Sequence, residues 1–241
     1  MAIMKNETLM VDEWIDHYLA QGASCIFLID NGSTDDTVAK VERWKADGRV
    51  ELVQLPQQHR QTAHYWTAFQ HFDIGNRCEW LTVVDLDEFW FCKTTETLAD
   101  YLDTQSSVDA IYGNWTVFGT DLVEHPQSVR LALTMRDPRL SRFTKCIFRT
   151  WLPRQENDIE VHAIRNVGLN RAKVDNSQLQ LNHYVTKSRE YWDSVKMQRG
   201  DAFFAQQDLT ELAARFDAFN KASTSTCTLL RDRVSAGSPK A

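Results

Sequence analysis

Apolar positions in the first hundred residues switch repeatedly between two periods. Val11, Trp14, Ile15 and Tyr18 recur at helical spacing, and Gly22 stands where a helix would end. CIFLI (25–29) follows, a short continuous apolar run of the kind strands show when both sheet faces are covered. The polar loop DNGSTDDT (30–37) leads into a helix carrying Val38, Val41 and Trp44 that stops near Gly48. VELVQL (50–55) reads as a second strand, Tyr65, Phe69 and Phe72 stripe the next helix, and WLTVV (80–84) is a third strand running into Asp85-Leu86-Asp87-Glu88. Strand and helix alternating at this spacing imply right-handed crossovers, hence an α/β fold with a mostly parallel, nucleotide-binding type of sheet flanked by helices.

Beyond residue 105 the pattern changes. AIYGNWTVFG (110–119), SVRLAL (128–133) and TKCIFRTW (144–151) read as strands joined by polar loops, an added, partly antiparallel sheet region. Residues 188–220 are helical again, with Tyr191, Val195, Leu209, Leu212, Phe216 and Phe219 on the apolar stripe. With no repeat and no linker, residues 1–221 read as a single domain: a half of nucleotide-binding type (1–105) and a half that completes a site (106–221). The Ser/Thr-rich residues 222–241 are expected to fray.

Composition narrows the function. The 241 residues carry 27 Lys+Arg against 33 Asp+Glu, so the net charge of −6 recommends neither a nucleic-acid backbone nor an anionic membrane as bulk partner. Peripheral membrane contact through a local patch stays open. No apolar run approaches the roughly 18 residues of a membrane span, and the first residues lack a signal-peptide pattern, so a cytoplasmic location is expected. Five cysteines without a C-x-x-C pair point to reduced, mostly buried thiols.

Two of the three strands end in acids, where ligands bind in open parallel sheets: Asp30 after CIFLI, and Asp85 and Asp87 after WLTVV. Residues two apart on an extended segment share a side, so both carboxylates can face one ligand while Leu86 turns into the core. A carboxylate pair suits Mn²⁺ or Mg²⁺ with diphosphate oxygens completing the shell. An acid cluster directly behind a buried strand also needs a compensating partner. In the loop after CIFLI, Ser33 and Asp36 have the spacing of a helix capping box, which leaves Asp30 unexplained.

K-N-E (5–7), E-W-I (13–15), I-D-N-G-S-T-D-D-T (29–37), W-L-x-x-x-D-L-D-E-F (80–89), W-x-x-F-G (115–119) and N-H-Y-x-T-K-S (182–188) occur in an order that resembles the family 2 and family 92-like glycosyltransferases of the GT-A fold. The resemblance spans about residues 3–200. It implies a Mn²⁺- or Mg²⁺-dependent enzyme that moves a sugar, with inversion, from a nucleoside-diphosphate donor such as a UDP-sugar to an acceptor hydroxyl in glycan or cell-surface polysaccharide synthesis. By the same resemblance Asp85 lies towards ribose and metal, and Asp87 ligates the metal. Glu7, Asp30 and Gln61 line the donor pocket, and His183 and Lys187 belong to a segment folding over the diphosphate. The family's opening strand is normally longer than the MAIM that precedes K-N-E here.

Further candidates follow from residue type and place. His162, after the strand-like IEV, is a second possible metal ligand, and Lys145, just before the apolar CIF, a phosphate contact. Trp115 and Phe118 are candidates for an acceptor platform, because apolar sugar faces stack on aromatic rings. Inversion needs a carboxylate base, for which Asp121, Glu88 and Glu160 are considered in that order, with Asp158 nearby. His59, His64 and His71 have no metal spacing and read as surface residues. A nucleotidyltransferase, or a non-catalytic nucleotide-sugar-binding protein, remains the alternative.

Overall fold

The computed structural model describes residues 1–57, 60–199 and 209–237. β1 (Ala2–Met4), β2 (Ile26–Asp30) and β3 (Val50–Gln54) form a parallel sheet in that order, crossed over by α1 (Val11–Ala20) and α2 (Thr37–Trp44). Gly22, with a φ of +85°, ends the turn after α1 in the left-handed conformation that the sequence position suggests. α3 (Gln61–His71) and α4 (Ile74–Arg77) then lead into β4 (Trp80–Thr82).

β4 opens a second, mixed sheet. β5 (Glu88–Cys92), α5 (Leu98–Asp103), β6 (Ala110–Val117), α6 (Val129–Ala132), β7 (Met135–Arg136), β8 (Thr144–Arg149), β9 (Ala172–Val174) and β10 (Leu179–His183) follow along the chain. The order across this sheet is β4-β8-β6-β10-β5, with β9 beside β6. The Met1 amino group donates to the Thr82 carbonyl (2.9 Å) and the Val84 N–H to the Met1 carbonyl (3.2 Å), so β1 and the end of β4 join the two sheets edge to edge. The expected α/β layout with an added, partly antiparallel region is therefore present. At Gly113 of β6 a Cβ would run into the Trp90 indole of the same core, so that close packing requires glycine.

Three local expectations give way to tertiary contacts. SVRLAL is not a strand: the Ser128 hydroxyl accepts from Leu131 N–H (3.2 Å), the Glu13 carboxylate accepts from Val129 N–H (2.9 Å), and the chain turns into α6. IEV is reduced to one bridge between Ile159 and Ile164. The end of the chain does not simply fray. After α7 (Arg189–Tyr191), a π-helical turn, α8 (Met197–Arg199) and α9 (Leu209–Ala222), β11 (Ser225–Thr226) pairs antiparallel with β7. α10 (Leu229–Gly237) then buries Leu230 in the main core. Residues 238–241 lie outside the described residues. All five cysteines are free; Cys92 and Cys146 are buried and the other three half-buried. Among the described residues no helix is long and apolar enough to cross a membrane.

α1 is the strut behind the strand-end acids. Trp14 Nε1–H donates to the Asp85 carbonyl (3.1 Å). The Tyr18 hydroxyl donates to the Glu88 carbonyl (2.9 Å) and accepts from Trp90 N–H (3.2 Å). His17 Nε2–H donates to the Trp90 carbonyl at 2.7 Å. Burial, reinforced by Arg130, lowers the His17 pKa to about 3 from its ordinary 6.5, so the folded protein holds this ring neutral.

A depressed histidine pKa stabilises the fold fully above pH 6.5 and loses that contribution as the pH falls towards 3. Stability measured by denaturant titration should fall over this window by up to about 1.4 kcal/mol per pH unit. In His17→Gln that component of the slope should vanish.

Candidate functional site

The carboxyl ends of β1 and β2 are stitched together by their loops. Asn6, at a φ of +53°, donates its N–H to the Ser33 hydroxyl (3.0 Å) and accepts at Oδ1 from Thr34 N–H (2.8 Å). Glu7 N–H donates to Thr37 Oγ1 (2.7 Å) and Thr8 N–H to Asp35 (3.2 Å). Ser33 is thus spent on the neighbouring loop, and the anticipated Ser33/Asp36 capping box does not form. Asp30 is buried and accepts from the N–H groups of Gly32 (3.2 Å) and Ser33 (3.1 Å), which folds the loop back over the strand end. Asn31 Nδ2 holds the chain after β3 through the carbonyls of Leu55 (2.6 Å) and Gln57 (2.9 Å).

Beside this pocket Gln61 Nε2 donates to the Tyr65 hydroxyl (2.5 Å), while Gln61 Oε1 is buried with no partner. His64 is buried too, with Nε2 unpartnered, because α3 turns it towards Asn31; the surface reading is corrected there. His71 is exposed as anticipated, and His59 lies outside the described residues.

Asp85-Leu86-Asp87-Glu88 is a tight turn closed by Glu88 N–H to the Asp85 carbonyl (3.0 Å), not the extended segment assumed from spacing. Leu86 does enter the core. Each aspartate meets its own lysine. Asp85 Oδ2 accepts from Lys145 Nζ (3.1 Å) and Asp87 Oδ2 from Lys187 Nζ (2.7 Å), with lysine exposures of 0% and 1%. Lys145 also reaches Glu88 (3.3 Å), whose Oε2 accepts from Asp85 N–H (2.9 Å). Burial would lower the Lys145 pKa, but Asp85 and Glu88 more than reverse this and raise it. Burial works against the Asp87 charge as well, yet Lys187 and His183 hold its carboxyl well below the usual range. Glu88 goes the other way: burial, with Asp85 and Asp87 adding to it, pushes it up to about 8 against the pull of Lys145.

β10 delivers His183 opposite Glu88 of β5 and Val117 of β6, with its Nε2 3.5 Å from Asp87 Oδ1. Lys187 follows at a φ of +56°, uncommon for a long side chain and costing on the order of 1 kcal/mol. Its ion pair and the Tyr191 ring, 3.9 Å from Nζ, hold it there. The Tyr191 hydroxyl donates to the buried Glu7 carboxylate, 2.8 and 2.9 Å from its oxygens. One polar chain therefore runs Glu7, Tyr191, Lys187, Asp87, His183 from the first sheet to the second. Nothing in the helical spacing of Tyr191 marks a partner 184 positions away.

Trp115 lies 4.4 Å from His183 and 5.2 Å from His162, ring to ring. His162 Nδ1–H donates to the Thr144 carbonyl (2.8 Å), leaving Nε2 its lone pair, and burial lowers its pKa. Phe118 is no platform: it is buried against Tyr184, 4.9 Å away, on the core side of the strand end. Phe143, missed from sequence because it precedes an apolar strand, is the exposed aromatic, 5.3 Å from Trp115.

Of the candidate bases, Glu88 is fully buried behind the turn and cannot meet an acceptor. Glu160 is tied to Arg165 (2.7 Å), and Asp158 is buried as a turn cap accepting from Arg154 N–H (2.8 Å). Asp121 is exposed in the loop after β6, whose next residue, Leu122, accepts from Arg189 N–H (2.9 Å) beside the Lys187 segment. Among the described residues no three His, Cys, Asp or Glu side chains converge as a ready metal cage. A cavity of about 290 Å³ lined by Cys25, Cys78 and Trp80 lies at the start of β2 and along β4.

Comparison with known proteins bears on this arrangement. The family model described as Glycosyltransferase family 92 matches residues 1–221. The chain belongs to glycosyltransferase family 92. A family 92 protein of Ricinus communis is 23% identical over 209 residues, covering 80% of this chain, which spans 36% of that relative's length. The S. aureus TarS 1–349 structure shares the fold at a TM-score of 0.50 and 14% identity, covering 92% of this chain and 69% of TarS. The TarS complex with UDP-GlcNAc gives 0.51 and 14%, over 96% and 68%. This family 92 chain accordingly has the GT-A-like fold.

The buried ion pair sets a stability test. Asp87→Asn and Lys187→Met should each cost about 3 kcal/mol in denaturant unfolding, because each leaves a desolvated charge unpaired. The double variant should cost less than the two together, by about 1 kcal/mol or more.

Proposed function

We propose that this family 92 chain transfers a sugar, with inversion, from a nucleoside-diphosphate sugar to an acceptor hydroxyl in glycan or cell-surface polysaccharide assembly. The observation that carries the reading is the convergence on Asp87 of Lys187 Nζ and His183 Nε2, at the edge where both sheets end. The loops of Glu7, Asp30 and Asn31, with Gln61 beside them, take the nucleotide, with Asp85 towards the ribose. Lys187 and Lys145 exchange part of their contact with the aspartates for diphosphate oxygens, so the charge of the leaving group is met by ammonium groups already in place. TarS has been solved with UDP-GlcNAc, which supports a UDP-sugar as the first donor to try.

The donor set is compatible with a divalent cation. Asp87 Oδ1 and His183 Nε2 face each other at 3.5 Å without a good hydrogen bond between them. These two would hold Mn²⁺ or Mg²⁺, with donor oxygens completing the shell. When bound, such an ion neutralises charge on the departing diphosphate. Asp121, an exposed carboxylate on the loop beside Lys187, takes the acceptor proton.

Incubation with a panel of nucleotide sugars and Mn²⁺ should release nucleoside diphosphate, and Asp87→Ala should lower the rate roughly a hundredfold or more. Asp121→Asn should lower kcat while leaving nucleotide binding intact. Pyrophosphate as the product would mean nucleotidyl transfer instead, and tight nucleotide binding without turnover across the panel would mean a binding protein.

A further inference from the structure

The side of the site away from the nucleotide loops is bounded by residues 136–143, RDPRLSRF, which carry three arginines and one aspartate in a chain of net charge −6. This loop is pinned to β6: Asp137 N–H donates to the Val117 carbonyl, Ser141 N–H to the Trp115 carbonyl and Trp115 N–H to the Phe143 carbonyl, at 3.0, 3.0 and 3.1 Å. Its arginines differ in what they do. Arg136 donates to the carbonyls of Asp137 (2.8 Å) and Pro138 (3.2 Å), and Arg139 pairs with Asp137 (3.1 Å). Arg142 has no carboxylate partner among the described residues, and its guanidinium lies 5.0 Å from the centre of the Phe143 ring.

Phe143 is 44% exposed, yet it is held by backbone bonds and by rings at 5.3 Å (Trp115) and 5.5 Å (His162). Trp115 in turn touches His183, which faces Asp87. An exposed aromatic fixed two rings from the proposed transfer centre offers an apolar face to a sugar ring. The Arg142 guanidinium, over that ring and without a carboxylate partner among the described residues, offers a fork suited to carboxylate or phosphate.

Resting on the transfer reading above, we propose that the acceptor is a sugar bearing a negative charge, with Phe143 against its ring and Arg142 on its anionic group. The anion, carboxylate or phosphate, decides which acceptors are taken. The test measures binding directly on the full chain, by saturation-transfer NMR with glucose, glucuronate and glucose 6-phosphate as probes in the presence of UDP.

Both anionic probes should bind about tenfold or more tightly than glucose, with the advantage shrinking as salt rises. Arg142→Gln should abolish that advantage, Arg142→Lys should retain part of it, and Phe143→Ala should weaken all three probes. Arg142 is exposed, so the Gln variant does not depend on core packing. A phosphate probe favoured over the carboxylate identifies a phosphorylated acceptor, and the reverse a uronate. Equal binding of charged and neutral probes, or an undiminished preference in Arg142→Gln, overturns the proposal. Failure of the donor panel with this preference intact removes the transfer reading and leaves the anionic sugar site standing.

Discussion

Two buried ammonium groups meeting two strand-end aspartates are the constraint on which the rest of the site depends. Asp87, buried at the turn, loses most of its hydration, and opposite charge or strong donors must replace it, while Asp85 stays partly exposed beside a wholly buried lysine. Lys145 arrives from β8 and Lys187 from the segment after β10, so pairing the acids pulls three distant stretches of chain to one point. Glu88, which shares Lys145 with Asp85, is driven towards its neutral form by burial and by its two aspartate neighbours. Under the proposed transfer, the same pairs would also balance a diphosphate.

The second constraint is orientation. α1 contributes no charge to the centre, yet Trp14, His17 and Tyr18 bond the backbone from Asp85 to Trp90 and hold the acid turn against the core. The Glu7–Tyr191 bond closes the other side, tying the first sheet's loop to the segment that carries Lys187. Because Lys187 adopts a left-handed backbone held by its side-chain partners, loss of those partners frees the segment as well as the charge.

Membership of glycosyltransferase family 92 and the fold shared with TarS agree with this architecture. What differs from one member of such a fold to another is carried by loops. Here the loop from β7 to β8 sets Phe143 against Trp115 and Arg142 over the Phe143 ring.

The linear sequence determined the alternation of strands and helices, the acids at the ends of β2 and β4, and Leu86 in the core. These follow from hydrophobic period and from the rule that ligands gather at strand ends, both of which act over a few residues. The ordered motifs added the family. Only the tertiary structure decided how each acid is satisfied: that Ser33 serves Asn6 rather than a helix cap, that Glu88 is shut away from any acceptor, that Phe118 is core while Phe143 is exposed, and that residues 128–133 turn helical on the Glu13 carboxylate. Each of those outcomes hangs on a partner tens to more than a hundred positions away. A buried polar group takes whatever partner the fold brings within about 3 Å, and local sequence does not encode that distance.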